Sequence, residues 1–266
     1  MLVTAGELTT LRVIGGARIG LEISDDALSQ LEARIGFAAP HATTMPSMLR
    51  YRSTTGGNGR SVFERHDALR DNGVEVIGST IDSLVDDMHL SIALHATDDV
   101  FVHAGVVAWN GVAILLPGRS LAGKSTLVHE LVRAGATYLS DEYARITSSG
   151  EIAAYPRPLQ LRTADGRRLV DPHTIGCVAE APCAPGLVVF THHRTGAAFE
   201  PVVVSPAQAA LDLFDNTVVA KVAPGRAIRA VAQVARCVVS VRSDRGESAD
   251  AVSSILALVD REVVAS

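Results

Sequence analysis

An apolar run with no polar face, Val112-Ala113-Ile114-Leu115-Leu116, passes through Pro117 into Gly118-Arg119-Ser120-Leu121-Ala122-Gly123-Lys124-Ser125. A run that is apolar on both faces belongs inside a sheet. The segment after it fits the pattern G-x-x-x-x-G-K-[ST]. Behind it, Leu127, Val128, Leu131 and Val132 recur at helical spacing and Gly135 marks the helix end. A short strand, Thr137-Tyr138-Leu139-Ser140, then closes on Asp141-Glu142. Strand, glycine-rich loop, helix, strand and acid in this order predict an α/β nucleotide-binding core.

The residue types suit phosphate chemistry. Glycines let the backbone turn its N–H groups toward phosphate oxygens, and the helix adds its positive dipole end to the same anion. Gly118, Arg119, Ser120, Leu121, Ala122, Gly123, Lys124, Ser125 and Thr126 form the expected nucleotide-contact set, with Lys124 reaching the β and γ phosphates. The Ser125 hydroxyl is placed to ligate Mg²⁺. Asp141 lies 17 residues after Lys124, at a strand end. Strand ends line the crevice of a parallel sheet, so this acid is suited to hold Mg²⁺ or to take a proton from an attacking hydroxyl. Its bland alternative is a helix-capping aspartate. His103, near an apolar strand, is by default a core histidine.

Composition narrows the field. Of 24 basic residues only Lys124 and Lys221 are lysines, so arginine supplies the surface charge and a lysine marks a place that needs a compact ammonium. The net charge of −5 excludes a broad electrostatic footprint for nucleic acid or an anionic membrane. The three cysteines, Cys177, Cys183 and Cys237, are too few for a disulfide framework and are read as buried or free thiols. Met1 to Thr10 carries Glu7 and no basic n-region, and no apolar stretch is long enough to span a bilayer; the expectation is a cytoplasmic protein.

Length allows one large domain or two small ones, at about 150 residues each. Residues 1–77 read as a strand-rich region: Leu11–Ile14 and Ile19–Ile23 flank Gly15-Gly16, Ser24 caps a helix through Leu31, and Thr54–Gly59 is a loop. Val62–Arg65 and Val74–Ile77 pair across Asp71-Asn72-Gly73. Ile81, Leu84, Val85, Met88, Ile92 and His95 predict a helix capped by Ser79 or Thr80. Val106–Trp109 and Val112–Leu116 predict a hairpin about Asn110-Gly111. Leu187–Phe190 reads as a buried strand. Pro206–Asn216, Arg226–Val239 and Ser248–Val264 read as helices, with the arginine-rich stretch extending to Arg242.

This pattern resembles the kinase domain of HPr kinase/phosphorylase, and more closely the shorter HPr-kinase-like proteins of peptide-modification settings. Phosphoenolpyruvate carboxykinase-type P-loop proteins are its wider relatives. The family pattern is a His-Gly/Ala pair, a hairpin strand, a Gly-x-Ser-Gly-x-Gly-Lys-Ser loop, a helix, a Gly, and a strand ending in Asp-Asp. The corresponding residues are His103-Ala104, Gly118 to Ser125, Gly135 and Asp141-Glu142. Leu159-Gln160-Leu161-Arg162 looks like the family's Leu-Glu-Ile-Arg segment, and Ala223-Pro224-Gly225-Arg226 like its Pro-Gly-Arg-Asn segment. The resemblance covers about residues 79–242 and implies a P-loop core in a domain over residues 78–266.

The resemblance implies a loop that holds ATP and Mg²⁺, with Ser125, Asp141 and Glu142 at the metal. It implies Asp141 as the base for an acceptor serine, His103 beside the transferred phosphoryl group, and Arg162 and Arg226 as charge neutralisers. Catalytic candidates are therefore Asp141, His103, Lys124, Arg162 and Arg226. The family's second Asp is Glu142 here and its Glu is Gln160, so kinase activity with little reverse phosphorylase activity is expected. Residues 1–77 do not resemble the family's usual N-terminal domain, which argues against HPr as the substrate.

The expected function is an ATP-dependent kinase acting on a hydroxyl, a serine of a peptide or protein. The alternatives are a nucleotide-gated binding module and a small-molecule kinase acting on a free amino acid. Residues 1–77 and the loop from Thr163 to Cys183 are the candidate specificity elements. Homo-oligomers are expected from the resemblance, with the helix from Arg226 to Arg242 as the packing surface.

Overall fold

Sixteen strands and six α-helices are described in the computed structural model, over residues 9–35, 41–42, 47–55, 61–67, 73–118, 123–163 and 166–262. The chain forms two compact units, Met1–Asp99 and Val100–Ser266.

In the first unit, β1 (Thr9–Arg12), β2 (Arg18–Glu22), β3 (His41–Ala42), β4 (Leu49–Thr55), β5 (Ser61–Asp67) and β6 (Val74–Gly78) make one sheet in the order β3-β1-β2-β4-β5-β6. Only β2 and β4 pair in parallel, across α1 (Asp25–Ile35). The hairpin expected over Val62–Ile77 is the β5–β6 pair; Asp71 and Asn72 of its turn lie outside the described residues. The loop expected from Thr54 begins later, because β4 runs through Thr55, and residues 56–60 lie outside the described residues. Helix α2 (Ile81–His95) starts at Thr80, whose side chain accepts from the Ser83 amide at 3.2 Å.

The boundary expected after residue 77 falls before α2, yet α2 goes with the first unit. The reason is a polar cluster. Asp87 of α2 accepts from the Tyr51 hydroxyl at 2.6 Å and pairs with the buried Arg65, which also pairs with Glu75. His95 pairs with Asp67 at 3.0 Å.

The second unit is a three-layer α/β arrangement. Its strands are β7 (Val100–Trp109), β8 (Val112–Pro117), β9 (Thr137–Ser140), β10 (Tyr143–Ile146), β11 (Ile152–Ala153), β14 (Ala184–His193), β15 (Val202–Val203) and β16 (Val239–Arg245). β12 (Leu159–Thr163) and β13 (Gly166–Val170) form a separate antiparallel ribbon. The sheet order is β11-β10-β7-β8-β14-β16-β15, and β9 lies beside β10 on the same edge of β7. α3 (Lys124–Arg133) and α6 (Ser248–Glu262) cover one face; α4 (Pro206–Asp215) and α5 (Pro224–Cys237) cover the other.

β8 is central, as its double apolar pattern requires. Ala113 and Leu115 pack under α4 and α5, while Ile114 and Leu116 pack under α3 and α6. The β7–β8 turn places Asn110 at φ 48° and Gly111 at φ 82°, the left-handed pair of a type I′ turn.

Three expectations are corrected. The helix expected to reach Val239 or Arg242 ends at Cys237, and Val239–Arg245 is β16, parallel to β14. The β-branched run Val238-Val239 and the alternation of Val239 and Val241 favour a buried strand, which sequence spacing after an arginine-rich helix concealed. The loop expected over Thr163–Cys183 contains β13 of the ribbon. β9, expected in a parallel sheet, is antiparallel to β7. All three cysteines are free thiols, Cys177 and Cys237 exposed and Cys183 half-buried. No helix among the described residues is long and apolar enough to cross a membrane.

Helix α3 approaches β7 over Gly105, where a Cβ would stand 2.5 Å from Val128 Cγ2. The Gly105→Ala variant is expected to lose about 1–3 kcal/mol of stability in a denaturant melt, because a packed core does not yield to one extra methyl.

Candidate functional site

Strand directions bring the motif and the acids together. β8 and β9 are each antiparallel to β7, so they run the same way and their ends reach the same region of β7. β8 ends with Pro117 opposite Ala104, and the next amide, Gly118, donates to the His103 carbonyl at 3.1 Å. On the other edge of β7, β9 pairs through Ser140 opposite Val106 and β10 begins at Tyr143 opposite His103. Asp141 and Glu142 fill the gap between these two strands. The Ser140 hydroxyl accepts from the Glu142 and Tyr143 amides at 3.2 and 3.1 Å, and Ala104 donates to the Glu142 carbonyl at 3.0 Å.

Gly123 stands at the N-terminus of α3 with φ 75°, a conformation that favours glycine. Lys124 and Ser125 are the first two helical residues. The Ser125 hydroxyl donates to Asp141 Oδ2 at 3.1 Å, and the Gln160 amide of β12 donates to the same oxygen at 3.2 Å. Asp141 is 4% exposed, and its Oδ1 is buried with no hydrogen-bond partner among the described residues.

Burial pushes the Asp141 carboxyl up from 3.8 to about 6, against the opposing charge of Arg157 and the Gln160 and Ser125 hydrogen bonds; Glu142 adds to the rise. Burial also works to raise Glu142, but the hydrogen bond from His103 and the charges of Arg157, His103 and Lys124 outweigh it and hold Glu142 below its ordinary value. Burial lowers the Lys124 ammonium, with Glu142 and Asp141 opposing. These are coupled charges in one desolvated place, the condition under which titration suits proton transfer.

The structure thus brings Lys124, Ser125, Asp141, Glu142 and His103 together. His103 Nδ1 lies 3.4 Å from Glu142 Oε1, and its ring stands 4.9 Å from that of Tyr143. Arg119, Ser120, Leu121 and Ala122 lie outside the described residues. Thr126 is exposed on α3. Arg162 is exposed on β12, two residues beyond Gln160. Arg226 is half-buried in the first turn of α5; the segment leading to it passes β7, where the His103 backbone amide donates to the Asn216 carbonyl at 2.8 Å.

Two arginines escaped the sequence reading. Arg157 is buried, and its charge acts on both Asp141 and Glu142. Its only signal was the setting Pro156-Arg157-Pro158, just before Leu159-Gln160. Arg245 is 1% exposed and its Nη2 donates to the Gly123 carbonyl at 2.9 Å. The alternation Val239, Val241, Ser243, Arg245 puts it on an inward face, a signal legible only once β16 is known to be a strand.

A divalent cation fits the donor set. Magnesium in nucleotide sites takes one or two carboxylates and keeps phosphate and water ligands. The orphaned Asp141 Oδ1 beside the Ser125 hydroxyl supplies that share without a cage of three acidic, cysteine or histidine ligands, and none exists among the described residues. No protein-family model matches the chain, and no curated protein sequence matches it.

A raised carboxyl carries a sign for stability. Between 3.8 and about 6 the folded state binds the Asp141 proton and the unfolded state releases it, so stability falls as pH rises through this window. The interval corresponds to roughly 3 kcal/mol. In metal-free protein Asp141→Asn is expected to be more stable than wild type at pH 7 and equal to it below pH 4, by denaturant melts at both pH values. Arg157→Met removes a cation that lowers Asp141, so the upper end of the window moves to higher pH while its lower end, the unfolded value, stays where it is.

Proposed function

We propose that the protein is an ATP-dependent kinase with a P-loop core of the HPr kinase type, transferring the γ-phosphoryl group to a hydroxyl, a serine of a peptide or protein. One observation carries the reading: the hydroxyl of Ser125, second residue of the helix after the glycine-lysine loop, donates at 3.1 Å to the buried Asp141 that follows β9. The resemblance to the HPr-kinase-like proteins, drawn from His103, Gly118 to Ser125 and Asp141-Glu142, agrees with it.

Phosphoryl transfer needs positioning and charge neutralisation more than covalent chemistry. Lys124, facing two carboxylates and partly desolvated, holds the β and γ phosphates. Ser125 Oγ and Asp141 Oδ1 would hold Mg²⁺, which when bound neutralises charge on the phosphate oxygens. Asp141 also faces the acceptor and is suited to take its proton as the hydroxyl oxygen bonds to the γ-phosphorus and the bond to ADP breaks. His103, oriented by Glu142, sits beside this exchange. Gln160 offers its backbone amide to Asp141, and no carboxylate side chain stands where the family has one. Reverse phosphorolysis is therefore weak.

The test uses γ-labelled ATP, Mg²⁺, a panel of serine peptides and free serine. Label is expected on a peptide with wild type and on nothing with Lys124→Ala. Asp141→Asn is expected to keep ATP binding and lose about 10²–10⁴-fold in turnover. Label in free phosphate alone, with Lys124-dependent ATP binding, would replace the kinase by a nucleotide-gated module; label on free serine alone would make it a small-molecule kinase. Phosphorylated product incubated with excess phosphate is expected to stay phosphorylated.

A further inference from the structure

The sheet of the first unit ends on β6, whose outer side has no strand beside it among the described residues. Such an edge presents a row of backbone N–H and C=O groups to another chain. Val74 and Val76 of β6 are 61% and 65% exposed. We propose that β6 is a docking strand. It takes an extended segment of a partner polypeptide as an added strand, with apolar residues beside Val74 and Val76 and a lysine or arginine between them, beside Glu75. Strand addition of this kind draws affinity from the backbone ladder and specificity from alternate side chains. Docking at β6 stands independently of the Lys124 chemistry.

Register decides which side chains share a face. Val74 stands opposite His66 and Val76 opposite Glu64, while Glu75 stands opposite Arg65. Arg65 is buried and pairs with both Glu75 and Asp87 of α2, so Glu75 lies on the helix-covered face. The two valines lie on the other face, which they share by register with His66, Arg50 and Arg52. Those three are exposed, so this face is open. The pairing of β6 with β5 shifts between Phe63 and Glu64, which leaves Val74-Glu75-Val76 as the regular ladder. An added strand therefore meets apolar, acidic and apolar residues in alternation.

Charge selects the partner. One guanidinium, Arg65, faces two carboxylates, Glu75 and Asp87, and leaves one negative charge in excess. Glu75 is the more exposed of the two and carries that excess to the sheet edge. A cation opposite it on an added strand is attracted, and an acid is repelled. A second copy pairing through its own β6 is disfavoured on the same ground: opposing the valines in an antiparallel ladder sets Glu75 against Glu75.

Proline and lysine blunt sheet edges, and β6 has neither. β15, which ends the sheet of the second unit with Val202 and Val203 exposed, is bracketed by Pro201 and Pro206. A charge on the covered face also guards an edge, and Glu75 is one. It admits the strand that brings a cation to it.

The experiment titrates the full chain with the synthetic peptide Gly-Thr-Val-Lys-Val-Thr-Gly and follows backbone amide resonances. Saturable shifts are expected at the β5 and β6 amides, with about tenfold weaker binding once glutamate replaces the peptide's lysine. The same peptide N-methylated at its three central residues is expected not to bind, because it has lost its ladder donors. The double variant Val74→Ser, Val76→Ser is expected to bind about fivefold or more weakly, and Glu75→Gln to lose the preference for lysine over glutamate. These side chains are exposed, and the amide spectrum of each variant checks its fold. No saturable shift at β6, an N-methylated peptide that binds as well as its parent, or equal affinity for the lysine and glutamate peptides overturns the docking strand. Resonances of β6 that move with protein concentration in the absence of peptide make the occupant a second copy and overturn it as well.

Discussion

The antiparallel pairing of β7 with strands on both of its edges is the constraint on which the site depends. One ten-residue strand carries β8 on one edge and β9 and β10 end to end on the other. Where β9 stops and β10 starts, two residues leave the ladder, and they are Asp141 and Glu142. Directly across, at Ala104 and His103, β8 gives way to the glycine-lysine loop. The loop and the acids meet because both departures occur at the same place along β7. Gly105 sits at that place, and its missing side chain lets α3 come down with Lys124 and Ser125 at its head.

The meeting has an electrostatic consequence. Asp141 is buried deeply enough to lose much of its preference for the charged form, and the compensating groups are few: a hydroxyl, a backbone amide and the Arg157 charge. One oxygen has no hydrogen-bond partner among the described residues. A group in that condition costs folding stability at neutral pH, and natural chains retain such groups where chemistry needs them. Arginine, with its delocalised and weakly hydrated charge, is the cation that tolerates burial beside such a site, and Arg157 at the acids and Arg245 at the end of the loop, the buried arginines among the described residues of this unit, do so.

The first unit is built on different grounds. Its sheet is almost wholly antiparallel, and α2 is tied to it by the Tyr51–Asp87–Arg65 cluster and the His95–Asp67 pair. Bonds of this kind join residues far apart in sequence, and no periodicity announces them. That is why α2 was legible as a helix and its allegiance was not.

The sequence by itself determined the local elements around the motif. The apolar run of β8, the Asn110-Gly111 turn, the stripe of α3, the short β9 and its closing acids are all written in nearest-neighbour chemistry: side-chain period, left-handed turn residues and a glycine before the helix. It also marked Lys124, Ser125 and Asp141 as candidates, whereas His103 entered only through the family resemblance. Tertiary structure alone decided that β9 would lie antiparallel to β7, that the Val239–Arg245 run would enter the sheet as β16, and that Arg157 and Arg245 would be the buried cations. Strand pairing and charge burial are set by residues dozens of positions apart, whose proximity arises only when two layers of helices close over one sheet.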